Sequence, residues 1–343
     1  MLAVERLLHT IGRKSCDRPP VIPQIFAHAA KVAGRSVDDY LSSSAFAAEC
    51  QVAAWRHYGL DAVFAVLDLT IEAEALGATL TRHPGIYPAV AIPPFTPDRD
   101  FSRMASPEPA TAGRMPEVVD MVARLRAGIG DAAVLVGMVQ GPMTLAVQFI
   151  GLERSLFLAI DETERFLHLL DYTTGISRTF GLAQLAAGAD VVMVFEPAAC
   201  PEILPPAMFR ELIGPRAAHL AAAFRGAGAK ANWLHIAGQT AAILPYYSAF
   251  GFDIANIDYC VDLDRARDIT DKDTLCLNGN VKPLSFITDG ADNIRQIADS
   301  LLARFDGRGG FILSSGCEIP PEAEEANVAA MVAAARYWRS RKA

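Results

Sequence analysis

Eight short apolar runs recur along the chain, most of them followed by a longer stretch of helical periodicity, and this alternation limits the possible folds more than any other feature. The runs are 19–26 (PPVIPQIF), 62–68 (AVFAVLD), 133–140 (AVLVGMVQ), 191–197 (VVMVFEP), 231–238 (ANWLHIAG), 253–258 (DIANID), 274–280 (TLCLNGN) and 310–317 (GFILSSGC). Their continuous hydrophobicity means burial on both faces, as in a parallel sheet covered by helices. Helical patterns fill 45–58, 116–128, 142–187 with breaks, 206–227, 238–250, 262–269, 292–305 and 322–338. The prediction is an α/β chain forming a single (β/α)8 TIM barrel over residues 1–343. A doubly wound open sheet is the rival, but no G-x-G-x-x-G follows the first run.

Two segments stand outside the alternation. The N-terminal MLAVERLLHTIGRKS reads as an amphipathic helical extension rather than a signal peptide, because a Glu interrupts its apolar part. Residues 84–116 hold prolines at 84, 88, 93, 94, 97, 107, 109 and 116, a density that precludes a regular helix or central strand. This Pro-rich loop follows the second run and is expected over the C-terminal mouth of the barrel, as a lid or as an inert excursion.

No apolar run reaches the roughly 20 residues that span a bilayer, so no membrane role and a cytoplasmic location are expected. There the cysteines at 16, 50, 200, 260, 276 and 317 are expected as free thiols or ligands rather than disulfides. The formal charge of −8, with no Lys/Arg-rich run, argues against nucleic acid as a main partner.

Barrel chemistry sits where strands end at their C-termini. The last polar residues of the eight runs are Gln24, Asp68, Gln140, Glu196, His235, Asp258, Asn280 and Cys317. Polar side chains are costly to bury without partners, so eight of them converging on one face point to a site. Asp68 reads as a general acid/base or a turn cap, and Glu196 as a ligand, a partner for a base, or a helix cap. Asp258 reads as a catalytic carboxylate or a buttress. Gln24, Gln140 and Asn280 are candidates for substrate binding. Imidazole and thiolate are soft zinc ligands, which makes His235 and Cys317 a candidate metal pair; His235 by itself also reads as a catalytic acid–base group or a structural histidine. In NWLHIAGQT the position two beyond His235, where a second ligand would complete a clip, is Ala237.

The segments DRPPVIPQIFAHAAKVAG, GLDAVFAVLDLTIEAEALGA, GMVQGPMTLA, FEPAACPEILPP, LHIAGQT, ANIDYCVDLDRARD, LNGNVKP and FILSSGCEIPPEA occur in an order that resembles the uroporphyrinogen decarboxylase superfamily. Within it, the chain is most similar to the cobalamin-linked methyltransferases typified by methylcobamide:coenzyme M methyltransferases. The resemblance implies a (β/α)8 barrel and methyl transfer between a corrinoid (methylcobalamin) and a small-molecule acceptor or donor. It implies a separate corrinoid carrier protein over the barrel mouth, since the chain has no D-x-H-x-x-G motif of its own. It also implies zinc, held by His-x-Cys after the fifth strand and by a Gly-Cys-Glu-x-Pro-Pro cysteine after the eighth. His235 and Cys317 match that pattern and Ala237 departs from it. Glu196 is the expected third ligand, Cys260 the alternate, and Cys200 a more distant candidate.

A second reading is decarboxylation of a porphyrinogen-like or other acid, because Asp68 falls where the decarboxylases carry their catalytic aspartate. Against it, the segment after the first run has Lys31 and Arg35 but no Arg-Gln-Ala-Gly-Arg pattern to hold a polycarboxylate. A third reading is a non-catalytic corrinoid or tetrapyrrole binder.

Overall fold

The computed structural model describes residues 1–270, 275–306 and 309–338. Seven parallel strands curl into one sheet: β1 (Ala62–Ala65), β4 (Val134–Gln140), β5 (Val191–Phe195), β6 (Ala231–His235), β7 (Ile254–Asn256), β8 (Cys276–Val281) and β9 (Phe311–Ser315), adjacent in that order. Between β1 and β4 the chain forms a separate antiparallel hairpin, β2 (Thr79–His83) with β3 (Ile86–Ile92). The principal helices are α1 (Ala3–Ile11), α2 (Ser44–Tyr58), α3 (Met115–Ile129), α4 (Pro142–Ile150), α5 (Leu152–Asp161), α6 (Thr163–Ala186), α7 (Gly214–Gly226), α8 (Leu263–Thr270), α9 (Ala291–Ala303) and α10 (Glu325–Arg336). No single helix among the described residues is long and apolar enough to cross a membrane.

The first predicted strand, 19–26, is reduced to one parallel bridge between Val21 and Leu313. Pro19, Pro20 and Pro23 have no N–H to extend a ladder. The segment nevertheless spans the gap between β9 and β1. Ile22 N donates to Leu313 O (2.9 Å), Leu313 N to Pro20 O (3.0 Å) and Asp61 N to Val21 O (3.3 Å). The other seven runs are strands as expected; Thr274, which begins one of them, lies outside the described residues.

Alternation along the strands divides the core in two. Ile22, Phe64, Val136, Met193, Trp233, Ile254, Cys276 and Ile312 fill the barrel interior, and the opposite faces pack against the helices. Trp233 meets Phe64 edge-on at 5.9 Å between ring centroids. The N-terminal extension closes the bottom: Ala3 and Leu7 join the interior cluster. Arg6 and Arg18 donate to Asp61 at 2.6 and 2.7 Å, and Val21 N donates to the same carboxylate at 2.8 Å.

Two expectations are corrected. The Pro-rich stretch 84–116 is not all loop: it contains β3, with Pro88 inside it. That is compatible with a two-stranded hairpin whose outer edge needs no donor. The helix expected at 238–250 is two 3₁₀ turns, Thr240–Ala242 and Leu244–Tyr246. Gly238 at φ +92° and Pro245 interrupt any longer helix.

Candidate functional site

Because the strands are parallel, the residues that close or follow them share one end of the barrel. Register places Gln140, Phe195 and His235 side by side on β4, β5 and β6, and Asn256 beside Asn278 on β7 and β8. A polar row thus sits directly above the apolar interior. Gln24 joins it by donating to Asn256 Oδ1 (2.5 Å), and Asn256 donates onward to Gly316 O (2.7 Å).

His235 is fully buried and stacks on Phe195, with ring centroids 4.5 Å apart. Its Nε2 lies 3.8 Å from Cys317 Sγ, in the turn after β9. Burial drives the imidazole down to about 3 and the Cys317 thiol up to about 11, so at neutral pH the unliganded pair carries no charge. The Cys317 turn sits tightly on the segment after β7: a Cβ on Gly316 would come within 2.7 Å of Tyr259 N. Asp258, in that segment, accepts from Gly238 N (2.8 Å) through Oδ2, while its buried Oδ1 meets no donor among the described residues.

Glu196 follows β5, but its carboxylate turns toward α4 rather than toward His235. It accepts from Met143 N (2.7 Å) and Thr144 N (2.9 Å), the orphan amides of the first helical turn, where the helix dipole favours an anion. A side chain on Gly141 would overlap it. Burial raises this carboxyl to about 7 against the pull of those hydrogen bonds. Asn280, expected at the substrate, donates to the backbone oxygens of Asp258 (3.2 Å) and Val261 (3.1 Å) and so braces the loop after β7. Gln140 is different: both polar atoms of its side-chain amide are buried and have no partner among the described residues.

Asp68 is committed on both oxygens. Oδ1 accepts from Thr70 N (2.8 Å) and Thr70 Oγ1 (2.7 Å), and Oδ2 accepts from Arg114 Nη1 (2.7 Å). Arg114 also donates to Glu74 through Nε. Sequence reasoning missed Arg114, which arrives from the end of the Pro-rich stretch. It also missed Tyr87 on β3, whose hydroxyl donates to Glu318 (2.6 Å) and accepts from Ala27 N (2.9 Å). Glu318 is pushed up to about 7 by burial. The hairpin is therefore anchored beside Cys317, which no periodicity in 79–92 could signal.

These donors can be tested against zinc. Bond lengths of about 2.0 Å to imidazole and 2.3 Å to thiolate place two tetrahedral ligands roughly 3.5 Å apart, close to the His235–Cys317 separation. A catalytic zinc takes about three protein ligands. No group of three His, Cys, Asp or Glu side chains among the described residues is placed to hold a metal. Glu196, the expected third ligand, is occupied at α4. The alternate, Cys260, is partly exposed beyond β7, with its thiol raised to about 11 by burial and by Asp258. A metal-bound histidine also usually donates its second ring nitrogen to an acceptor, and His235 Nδ1 has none among the described residues. The residues present do not fit a resident three-ligand zinc.

Comparison with known proteins places these features in a family. The uroporphyrinogen decarboxylase (URO-D) family matches residues 2–338. The chain is 26% identical over 336 residues to the methylcobamide:CoM methyltransferase MtaA of Methanosarcina barkeri, covering 96% of each protein. It is 28% identical over 283 residues to the uroporphyrinogen decarboxylase of Syntrophotalea carbinolica, covering 80% of this chain and 78% of that one. A methyltransferase from Methanosarcina mazei superposes with a TM-score of 0.88 at 25% identity, covering 98% of both chains. With the barrel, its closed bottom and its polar mouth in place, the match across nearly the whole length shows that the chain belongs to the uroporphyrinogen decarboxylase family.

Proposed function

We propose that the protein is a corrinoid-dependent methyltransferase, moving a methyl group between a corrinoid on a separate carrier protein and a small-molecule acceptor or donor. The observation that carries this reading is the approach of His235 to Cys317 across the mouth, from the two positions where the methyltransferase resemblance places its ligands. Similarity to MtaA over 96% of both chains is consistent with it. The engagement of Asp68 weighs against decarboxylation, because a carboxylate held by Arg114 and Thr70 is not free to protonate or anchor a substrate.

In this reading the carrier docks over the open mouth and the methyl group crosses into a site walled by Phe195, His235 and Cys317. Gln140, whose amide has no partner among the described residues, orients the small substrate. His235 is fully buried and Cys317 partly so; a nucleophile held against them would be poorly solvated, which favours displacement at carbon. No step is assigned to zinc.

Anaerobic incubation with methylcobalamin and a panel of thiol and amine acceptors tests the proposal, with the cobalamin spectrum as readout. Protein-dependent demethylation lost in His235→Ala is expected. No demethylation with any acceptor, together with stepwise decarboxylation of uroporphyrinogen, would replace this reading with the second one.

A further inference from the structure

We infer that the mouth of this barrel is a metal site opened by a single residue: Ala237 leaves His235 and Cys317 as a two-donor pair that does not retain zinc, and no neighbouring side chain has taken the third position. His235 closes β6 with its side chain inward and Ile236 is buried on the opposite face, so continued alternation just past the strand would return residue 237 to the side of His235. A thiol there would stand next to the imidazole, whereas a methyl group offers nothing to a cation.

No replacement among the described residues completes the site. Glu196 caps α4 with both oxygens. Asp258 is held toward Gly238 N by Oδ2; its Oδ1 has no donor among the described residues, yet neither it nor the partly exposed Cys260 completes a three-ligand group with His235 and Cys317. Glu318 accepts from Tyr87. The 3.8 Å separation of His235 Nε2 and Cys317 Sγ shows that the two remaining donors have kept a spacing that a tetrahedral ion accepts. Restoring the third donor should therefore restore the site without rebuilding the mouth.

The test is metal stoichiometry on the full-length protein purified without a tag, stripped with chelator and dialysed against buffered zinc. The wild type is expected to retain less than about a tenth of an equivalent. Ala237→Cys is expected to retain about one equivalent, with an affinity at least roughly a hundredfold higher, and to gain thermal stability with added zinc. Cobalt substitution gives a second readout, since only the cysteine variant should show a tetrahedral thiolate spectrum. Circular dichroism of Ala237→Cys without metal checks that it folds; if it does not, Ala237→His supplies the third donor by another route. One equivalent of zinc in the wild type overturns the inference, and its loss in Asp258→Ala would name the substitute ligand. Failure of both folded variants to bind zinc also overturns it, because Ala237 would then not be the cause. These outcomes are independent of the methyl-transfer reading, which is judged on cobalamin turnover.

Discussion

Arg114 Nη1 donates to Asp68 Oδ2 at 2.7 Å, and the same guanidinium holds Glu74, so one cation from the start of α3 neutralises two carboxylates beside the barrel mouth. The Asp68 side chain is fully buried and that of Arg114 is 16% exposed. Removing one partner of such a pair leaves an uncompensated buried charge, which costs about 3–5 kcal/mol. Arg114→Gln is therefore expected to lower stability by about 3 kcal/mol in urea unfolding, and Asp68→Asn in that background to recover part of the loss. A loss under about 1 kcal/mol would mean that Asp68 is charged and solvated rather than dependent on Arg114.

The sequence carried much of this architecture. Seven of eight predicted strands are strands because continuous apolar runs of that length suit a sheet buried on both faces. The inward-facing strand ends were legible for the same reason: period-two alternation carries Asp68, Gln140 and His235 to the mouth once the strand ends are known. What each side chain does there was not legible. Glu196 has the position of a ligand but the partners of a helix cap, and those partners lie more than 50 residues away in the chain. Arg114 and Tyr87 come from a proline-rich stretch with no periodicity to announce them.

Glu72 predicts an unusual pH dependence. It accepts from Gln140 N (2.9 Å), and burial, with the nearby Asp68 charge adding to it, raises its carboxyl to about 7. The group binds its proton more tightly folded than unfolded, where the pKa is about 4.3. Its contribution is thus fully present below about pH 4.3 and is lost as pH rises toward 7. Glu72→Gln keeps the acceptor oxygen and cannot ionise. The variant should gain on the wild type by about 3 kcal/mol at most between pH 4.5 and 8, then hold a constant lead. Comparing urea midpoints across that range isolates Glu72 from the buried histidines, which titrate in both proteins. A difference that does not change with pH would show that Glu72 stays ionised on folding.

Tyr87 makes the last prediction, because it is the point at which the hairpin touches the site. Its hydroxyl bridges Glu318 and Ala27 N, joining β3 both to the Cys317 turn and to the segment that completes the barrel. Tyr87→Phe keeps the ring in place and deletes only the bridge. A buried carboxyl and a backbone N–H then lose a partner, at about 1–3 kcal/mol. Because the hairpin, among the described residues, forms a sheet separate from that of the barrel, that loss should fall on its docking rather than on the fold as a whole. Amide exchange in residues 79–92 should accelerate by about tenfold or more while exchange in β4–β6 is unchanged, and the thermal midpoint should fall by only a few degrees. If exchange accelerates equally in β4–β6, Tyr87 supports the barrel itself and the hairpin is not a separately docked element. If exchange in 79–92 does not change, the hydroxyl bridge does not hold the hairpin at the mouth, and packing of the ring alone does.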